Sequence, residues 1–156
     1  MAEQWLIDGY NLLHALQSKN PKKNLPLREQ MLAVIAEFAS FIRSNTLLVL
    51  DGAGDDHELR PYRTEYFEVI FSQKMSADAC IEQYLFQHRG KLQMTVVTDD
   101  RAIADIGRGG GARVLSTSVF SEILKECKKE GSECLQKEKS REHGFHRPFE
   151  NKLKDL

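Results

Sequence analysis

The chain has 156 residues, a formal net charge of −1 and a hydrophobic share of 41%. This length predicts one domain with a sizeable core, and the near-neutral charge neither requires nor excludes a polyanionic partner. No apolar run approaches the roughly 20 residues of a membrane-spanning helix and no signal-peptide pattern is present, so we expect a cytoplasmic protein without a membrane partner.

The first half of the chain contains apolar runs and one amphipathic segment. Residues 5–7 predict a buried strand that ends on Asp8, and the polar residues 18–24 predict a surface loop. Apolar side chains that recur at spacings of three and four predict a helix over residues 27–44. Two further strands are predicted at residues 46–50 and 66–71, with a polar loop at residues 52–57 between them.

The second half of the chain continues this alternation. Ser76 is predicted to cap a helix that runs to about His88. The elements predicted after it are a strand at residues 94–98, a short helix at 101–106 and a glycine turn at 107–111. A short strand at residues 112–115 and a last helix at 118–129 follow. The alternation predicts an α/β fold with a largely parallel sheet of about five strands and helices on both faces.

The composition changes near residue 130. Residues 131–156 have few apolar side chains and many charges. We therefore expect a folded domain over residues 1–130, followed by a charged C-terminal tail over residues 131–156 that is flexible or docked on a partner.

Three of the predicted strands end on carboxylates. Asp8 and Asp51 each follow an apolar run, and the fourth strand ends on the pair Asp99 and Asp100. Because the carboxyl ends of parallel strands form the rim of the ligand crevice, we expect these side chains to share one acidic pocket.

A fourth source of acid is the helix that Ser76 begins. Asp78 is predicted in its first turn, and Glu82 shares the same helix face four residues later. Carboxylates brought together repel one another unless a cation lies between them, and hard divalent ions such as Mg²⁺ take oxygen ligands. The pattern indicates metal-assisted hydrolysis of a phosphodiester.

Several segments resemble, in order, the YacP-like NYN family of PIN-like nucleases: residues 6–11, 49–51, 69–71, 76–82, 96–100 and 109–116. The DGYN sequence at residues 8–11 is the most specific of them. The resemblance covers about residues 4–130 and implies a three-layer α/β/α PIN-like (Rossmann-like) domain. It also implies a metal-dependent endoribonuclease, with relatives that cut messenger RNA in association with the ribosome.

The resemblance also implies roles for individual residues. The catalytic aspartates would be Asp8, Asp78 and Asp100, with Asn11 and Asp51 supporting the pocket. Relatives often carry serine at the position of Asp99, and they tend to have a longer, more basic tail. The predicted ligands of Mg²⁺ or Mn²⁺ are Asp8, Asp51, Asp78 and Asp100, with Asp99 and Glu82 as further candidates.

Four residues are candidates for RNA contact. Arg101, Arg108 and Arg113 follow the last acidic strand and could contact the RNA backbone on either side of the cut, although solvated surface charge is the ordinary alternative. Tyr10 could stack on an unpaired base, with core packing as the alternative.

The predicted function is hydrolysis of single-stranded RNA, with messenger RNA as the expected substrate and the ribosome as a candidate partner. The alternative is a non-catalytic RNA- or ribosome-binding module of the same fold. A haloacid-dehalogenase-like phosphatase would need an aspartate where Tyr10 stands, which argues against that class. The three cysteines form no CxxC pair, which argues against a thiolate zinc site. The sequence predicts no oligomeric state.

Overall fold

A computed structural model of the protein describes residues 3–19, 27–91 and 93–140. Five strands form one sheet in it: β1 (Glu3–Asp8), β2 (Asn45–Leu50), β3 (Phe67–Phe71), β4 (Gln93–Val97) and β5 (Arg113–Leu115). Their order across the sheet is β3-β2-β1-β4-β5, and every neighbouring pair is parallel. Near-continuous apolar strands are typical of a parallel sheet that is covered on both faces.

Six α-helices accompany the sheet in the described ranges: α1 (Gly9–Lys19), α2 (Leu27–Ile42), α3 (Asp56–Leu59), α4 (Ala77–Gln87), α5 (Arg101–Gly109) and α6 (Thr117–Ser140). Helices α1, α2 and α6 cover one face of the sheet, and α4 and α5 cover the other. The three-layer α/β/α architecture predicted from the sequence is therefore confirmed.

The two faces of β1 anchor two separate cores. Trp5 and Ile7 face one side, where the Trp5 ring lies 5.1 Å from that of Phe38, and Phe38 lies 5.2 Å from Phe120. Leu6 faces the other side and packs with residues of α4 and α5. This alternation of side chains along the strand is what allows one central strand to hold both layers together.

Two helices overlap the ends of predicted loops. Helix α1 extends to Lys19, so the prediction that a loop begins at residue 18 is wrong, and residues 20–26 lie outside the described chain. The cause is tertiary packing, because Leu12 is fully buried and Leu16 packs against the same core. Helix α3 overlaps the end of the polar loop predicted over residues 52–57, where Asp55 accepts a hydrogen bond from the His57 N–H at 3.0 Å and caps the helix.

Two helices are longer than predicted. Helix α5 continues to Gly109, through part of the glycine run that was predicted to be a turn. Helix α6 continues to Ser140 instead of ending near Lys129. The domain boundary near residue 130 stays a prediction.

Gly9 allows β1 to pass directly into α1 beside the neighbouring strand. A Cβ atom at this position would lie 2.8 Å from the backbone oxygen of Val49 and 2.9 Å from the Leu50 side chain. Contacts this short are essentially never made by real Cβ atoms, so a larger residue would push α1 away from β2. Gly9 thus fixes the close approach that places the first turn of α1 at the end of the sheet.

None of the helices in the described part of the chain is long and apolar enough to cross a membrane.

Candidate active site

The carboxyl ends of the parallel strands and the first turns of four helices meet at one edge of the sheet. Helices α1, α4, α5 and α6 all begin there, because each follows a strand after a short connection. The predicted acidic residues lie at this edge: Asp8, Asp51, Asp78, Asp99 and Asp100.

Asp8 is the last residue of the central strand, and only 1% of it is exposed. One of its carboxylate oxygens accepts a hydrogen bond from the backbone N–H of Asn11 at 3.2 Å. The other oxygen accepts one from the side-chain amide of Asn11. Asp8 therefore caps helix α1, and Asn11 holds its carboxylate in one orientation.

The acidic residues influence one another electrostatically. Burial is the largest influence on the pKa of Asp8 and raises it, the two hydrogen bonds from Asn11 lower it, and the charges of Asp78 and Asp100 raise it, so that the pKa lies above its ordinary value. The pKa of Asp78 is raised by desolvation, then by the charges of Asp100 and Asp51. Four carboxylates from four separate segments of the chain therefore share one electrostatic neighbourhood.

Asp100 and Asp51 also complete helix N-termini, as Asp8 does. Asp100 caps α5 by accepting a hydrogen bond from the Ile103 N–H at 3.0 Å. Asp51 reaches from the end of β2 to the Ala77 N–H at 2.9 Å, the first residue of α4. Unpaired N–H groups at helix starts require such acceptors, so these carboxylates have a structural role in addition to any chemical one.

Both carboxylate oxygens of Asp99 are hydrogen-bonded within the protein. They accept hydrogen bonds from the backbone N–H and the hydroxyl of Thr117, the first residue of α6. Thr117 is buried, and Asp99 is separated from it by 18 residues of sequence. Asp99 therefore joins β4 to the beginning of α6.

Asp78 differs from the other acids. Its side chain is exposed in the first turn of α4, and the carboxylate makes no hydrogen bond or ion pair with any other residue that the structure describes. Its position is set through its neighbours, since Ser76 caps the helix by accepting from the Ala79 N–H and Asp51 accepts from Ala77. The helix start is thus well fixed, and the Asp78 oxygens remain available to a ligand.

The donor set fits a hard divalent cation in chemistry, although it is not a closed cage. Within residues 3–19, 27–91 and 93–140, no three acidic, histidine or cysteine side chains are grouped closely enough to hold a metal ion by themselves. Mg²⁺ commonly takes one or two carboxylates and completes its shell with waters and substrate phosphate. An open edge with mutually repelling carboxylates suits that mode of binding.

The other predicted site residues are dispersed. Glu82 is exposed one turn further along α4, and Arg101 is exposed directly after Asp100. Arg108 lies near the far end of α5, where it pairs with Asp105 at 3.7 Å. The structure therefore does not bring Arg108 to the acidic edge.

Arg113 is also distant from the acids. It begins β5, its register partner Thr95 pairs with Trp5, and its guanidinium lies 5.5 Å from the centre of the Trp5 ring. Trp5 precedes Asp8 by three positions on the same strand, which is about 10 Å. Strand and helix direction thus carry Arg108 and Arg113 away from the acids and leave Arg101 beside them, while contact of the three arginines with RNA stays a prediction.

Sequence reasoning missed a surface groove beside Asp8. The groove has a volume of about 350 Å³ and is lined on one side by α1, including Tyr10 and His14, and on the other by Asp99. The spacing of four between Tyr10 and His14 is a helical signal, but it becomes visible only once α1 is known to be a helix. Thr117 was missed because its contact with Asp99 is long-range.

The contacts of Asp99 lead to a stability prediction. Replacing Asp99 by alanine should lower the free energy of unfolding by about 1–2 kcal/mol, because two hydrogen bonds at the start of α6 are lost. Urea unfolding measures the change. Asp105→Ala is the matched control, since Asp105 is exposed and its ion pair with Arg108 is worth little. Equal stability of the two variants would show that Asp99 does not secure α6.

Comparison with known proteins places this geometry in a family. The profile of the YacP-like NYN domain family matches residues 5–155. The fold is similar to the crystal structure of a mutant of Rae1 (YacP) from Bacillus subtilis, with a TM-score of 0.71 and 24% identity over 89% of this chain and 85% of that chain. A second crystal structure of Rae1 (YacP) from Bacillus subtilis has a TM-score of 0.69 and 26% identity, over 87% of this chain and 81% of that chain. No curated protein matches the chain significantly in sequence.

Proposed function

This chain belongs to the YacP-like NYN domain family, a family of PIN-like nucleases, and from that membership we propose a divalent-metal-dependent endoribonuclease that hydrolyses phosphodiester bonds of single-stranded RNA. The observation that carries the proposal is the buried Asp8 carboxyl, whose pKa is raised by burial and by the charges of Asp78 and Asp100. Mutually repelling carboxylates at an open sheet edge are stabilised by a hard cation, and metal-dependent phosphodiester hydrolysis uses such a site.

The carboxylates proposed to hold Mg²⁺ or Mn²⁺, directly or through waters that the ion keeps, are Asp8, Asp78 and Asp100, with Asp51 beside them. When bound, such an ion polarises the scissile phosphodiester and activates a water molecule. Asp8 is the central ligand because it is buried on the middle strand and Asn11 fixes its orientation.

The other pocket residues act on the ligands or on the RNA. Asp51 positions Asp78 indirectly, because it accepts a hydrogen bond from the residue that precedes Asp78 at the start of α4. Arg101 is exposed next to Asp100, and this position supports its proposed contact with the RNA backbone beside the cut. Glu82 and Asp99 are not needed as ligands in this arrangement, since Glu82 is a turn away and Asp99 is bonded to Thr117.

The proposed substrate is unpaired RNA, and the family resemblance implies messenger RNA on the ribosome. A labelled, unstructured RNA oligonucleotide tests the reaction, with the same sequence as RNA duplex and as single-stranded DNA for comparison. We expect internal cuts in the single-stranded RNA with Mg²⁺ or Mn²⁺, and none after EDTA removes the metal. Cleavage that persists in EDTA would refute the metal dependence.

A second candidate function follows from the open form of the acidic edge. Because no three described side chains form a complete metal cage, the same edge also fits a non-catalytic RNA- or ribosome-binding module. Adding translating ribosomes to the cleavage assay separates the two functions. Ribosome affinity without cleavage of any RNA, in any metal, would support the binding module and reject the nuclease.

A further inference from the structure

The exposed aromatic residue Tyr10 lies beside a second aromatic ring and a surface groove. Neither the second ring nor the groove belongs to the proposed metal site. Tyr10 follows Asp8 and Gly9 directly, yet 60% of it is exposed, so it contributes little to the core. Its ring centre lies 6.3 Å from that of His14, and the ring planes are tilted by 35°. The two rings lie on one face of α1, one helical turn apart.

The groove beside these rings has the size of a single-nucleotide site. Its volume is about 350 Å³, near the lower end of the range for small-molecule sites. Its lining includes Tyr10, Asn11, His14, Ser18 and Asp99. Asn11 also donates to the Asp8 carboxylate, so this one side chain borders both the groove and the acidic site.

The polar groups of the groove favour a base over a phosphate. Asp99 contributes a carboxylate to the groove. A phosphate would be repelled there, whereas the N–H groups of a base can donate to the carboxylate. The Asp99 oxygens each accept one hydrogen bond from Thr117 and keep a further lone pair.

We propose that this groove is a nucleotide subsite in which one unpaired base of the RNA lies against the Tyr10 and His14 rings, next to the bond that is cut. The inference rests on the proposed function, because it places the groove along the path of an RNA that enters the acidic site. Aromatic platforms of this kind bind bases with little sequence preference, since every base has a stacking face.

The test measures binding of a short single-stranded RNA by fluorescence anisotropy, with Ca²⁺ in place of Mg²⁺. We expect Tyr10→Ala to raise Kd about tenfold, and Tyr10→Phe, which keeps the ring, to bind like the wild type. His14→Ala should also weaken binding. Phe86→Ala is the matched control and should change nothing, because Phe86 is an exposed aromatic residue, 77% accessible, at the end of α4.

A second series moves one abasic ribose along the same RNA. In the wild type, an abasic ribose at one position should lower the affinity about tenfold. In Tyr10→Ala, an abasic ribose at that position should cause no further loss, as expected if the missing base and the Tyr10 ring contact each other. Thermal unfolding of Tyr10→Ala like that of the wild type, expected for an exposed residue, shows that the fold is intact.

The outcomes separate the subsite from the nuclease proposal. RNA that is bound with this abasic profile but never cut supports the subsite and refutes the proposed function. Normal cleavage with an unchanged KM in Tyr10→Ala, together with an unchanged abasic profile, refutes the subsite and leaves the nuclease intact.

Discussion

Replacing Asp8 or Asp78 by asparagine should lower RNA cleavage by at least about 1,000-fold while the protein remains folded. Asparagine keeps the size of the side chain but removes the charge that holds a divalent cation. The two residues lie on different elements, β1 and α4, and the charge of Asp78 raises the pKa of Asp8. Loss of activity in both variants would indicate one shared site.

The measurement is the single-turnover cleavage rate of a labelled RNA at saturating Mg²⁺, with circular dichroism as the check on folding. Asp105→Asn is the control, because Asp105 is an exposed carboxylate on α5 that pairs only with Arg108 among the described residues. The active-site assignment fails if Asp8→Asn and Asp78→Asn both cut RNA at the rate of Asp105→Asn.

Asp78→Asn should be more stable than the wild type without metal and less stable with it. The Asp78 carboxyl has a pKa raised above its ordinary value of 3.8 by desolvation and by the Asp100 and Asp51 charges. A carboxyl group whose pKa is higher in the folded than in the unfolded protein stabilises the fold fully only at pH values below its pKa in the unfolded protein. This stabilisation is lost as the pH rises through the pKa in the folded protein. At pH 7 removing the charge therefore raises the melting temperature.

Metal binding reverses this order. A cation present at ten times its Kd stabilises the wild type by about 1.4 kcal/mol, which corresponds to a rise in Tm of roughly 3–6 °C for a domain of this size. Asp78→Asn loses a ligand and should respond much less. The substitution removes no hydrogen bond with a described residue, so the comparison reports charge and metal binding.

Melting curves with and without Mg²⁺, at pH 7 and near pH 3.5, test both parts of this prediction. The stability advantage of the variant in metal-free buffer should disappear at the acid pH, where Asp78 is largely protonated in the unfolded wild type. Parallel responses of the two proteins to Mg²⁺ would argue against Asp78 as a ligand.

Local sequence pattern was enough to predict the strands and the edge where the acids lie. Apolar runs that stop on Asp8, Asp51 and Asp99 are read from adjacent residues, and parallel pairing brings the ends of such strands together. Ser76 was predicted as a cap from its position before a helical segment, and the structure confirms it. These features depend on neighbours in the chain.

Helix α1 is where local pattern failed. Lys19 and the turn-forming residues after it favour a loop, but the helix continues to Lys19, with Leu12 buried and Leu16 packed against the same core. That helix aligns His14 with Tyr10 and creates the groove beside Asp99. Tertiary packing therefore decided a secondary structure and, with it, a candidate binding surface.

By itself, the sequence determined the fold class and the acidic edge, because strand periodicity and the polar residues at strand ends are local properties. Only the tertiary structure decided which acids support the helices and which remain available to a ligand. The contacts between Asp51 and Ala77 and between Asp99 and Thr117 join residues 26 and 18 positions apart. Such contacts depend on the packing of strands against helices, which no local pattern specifies.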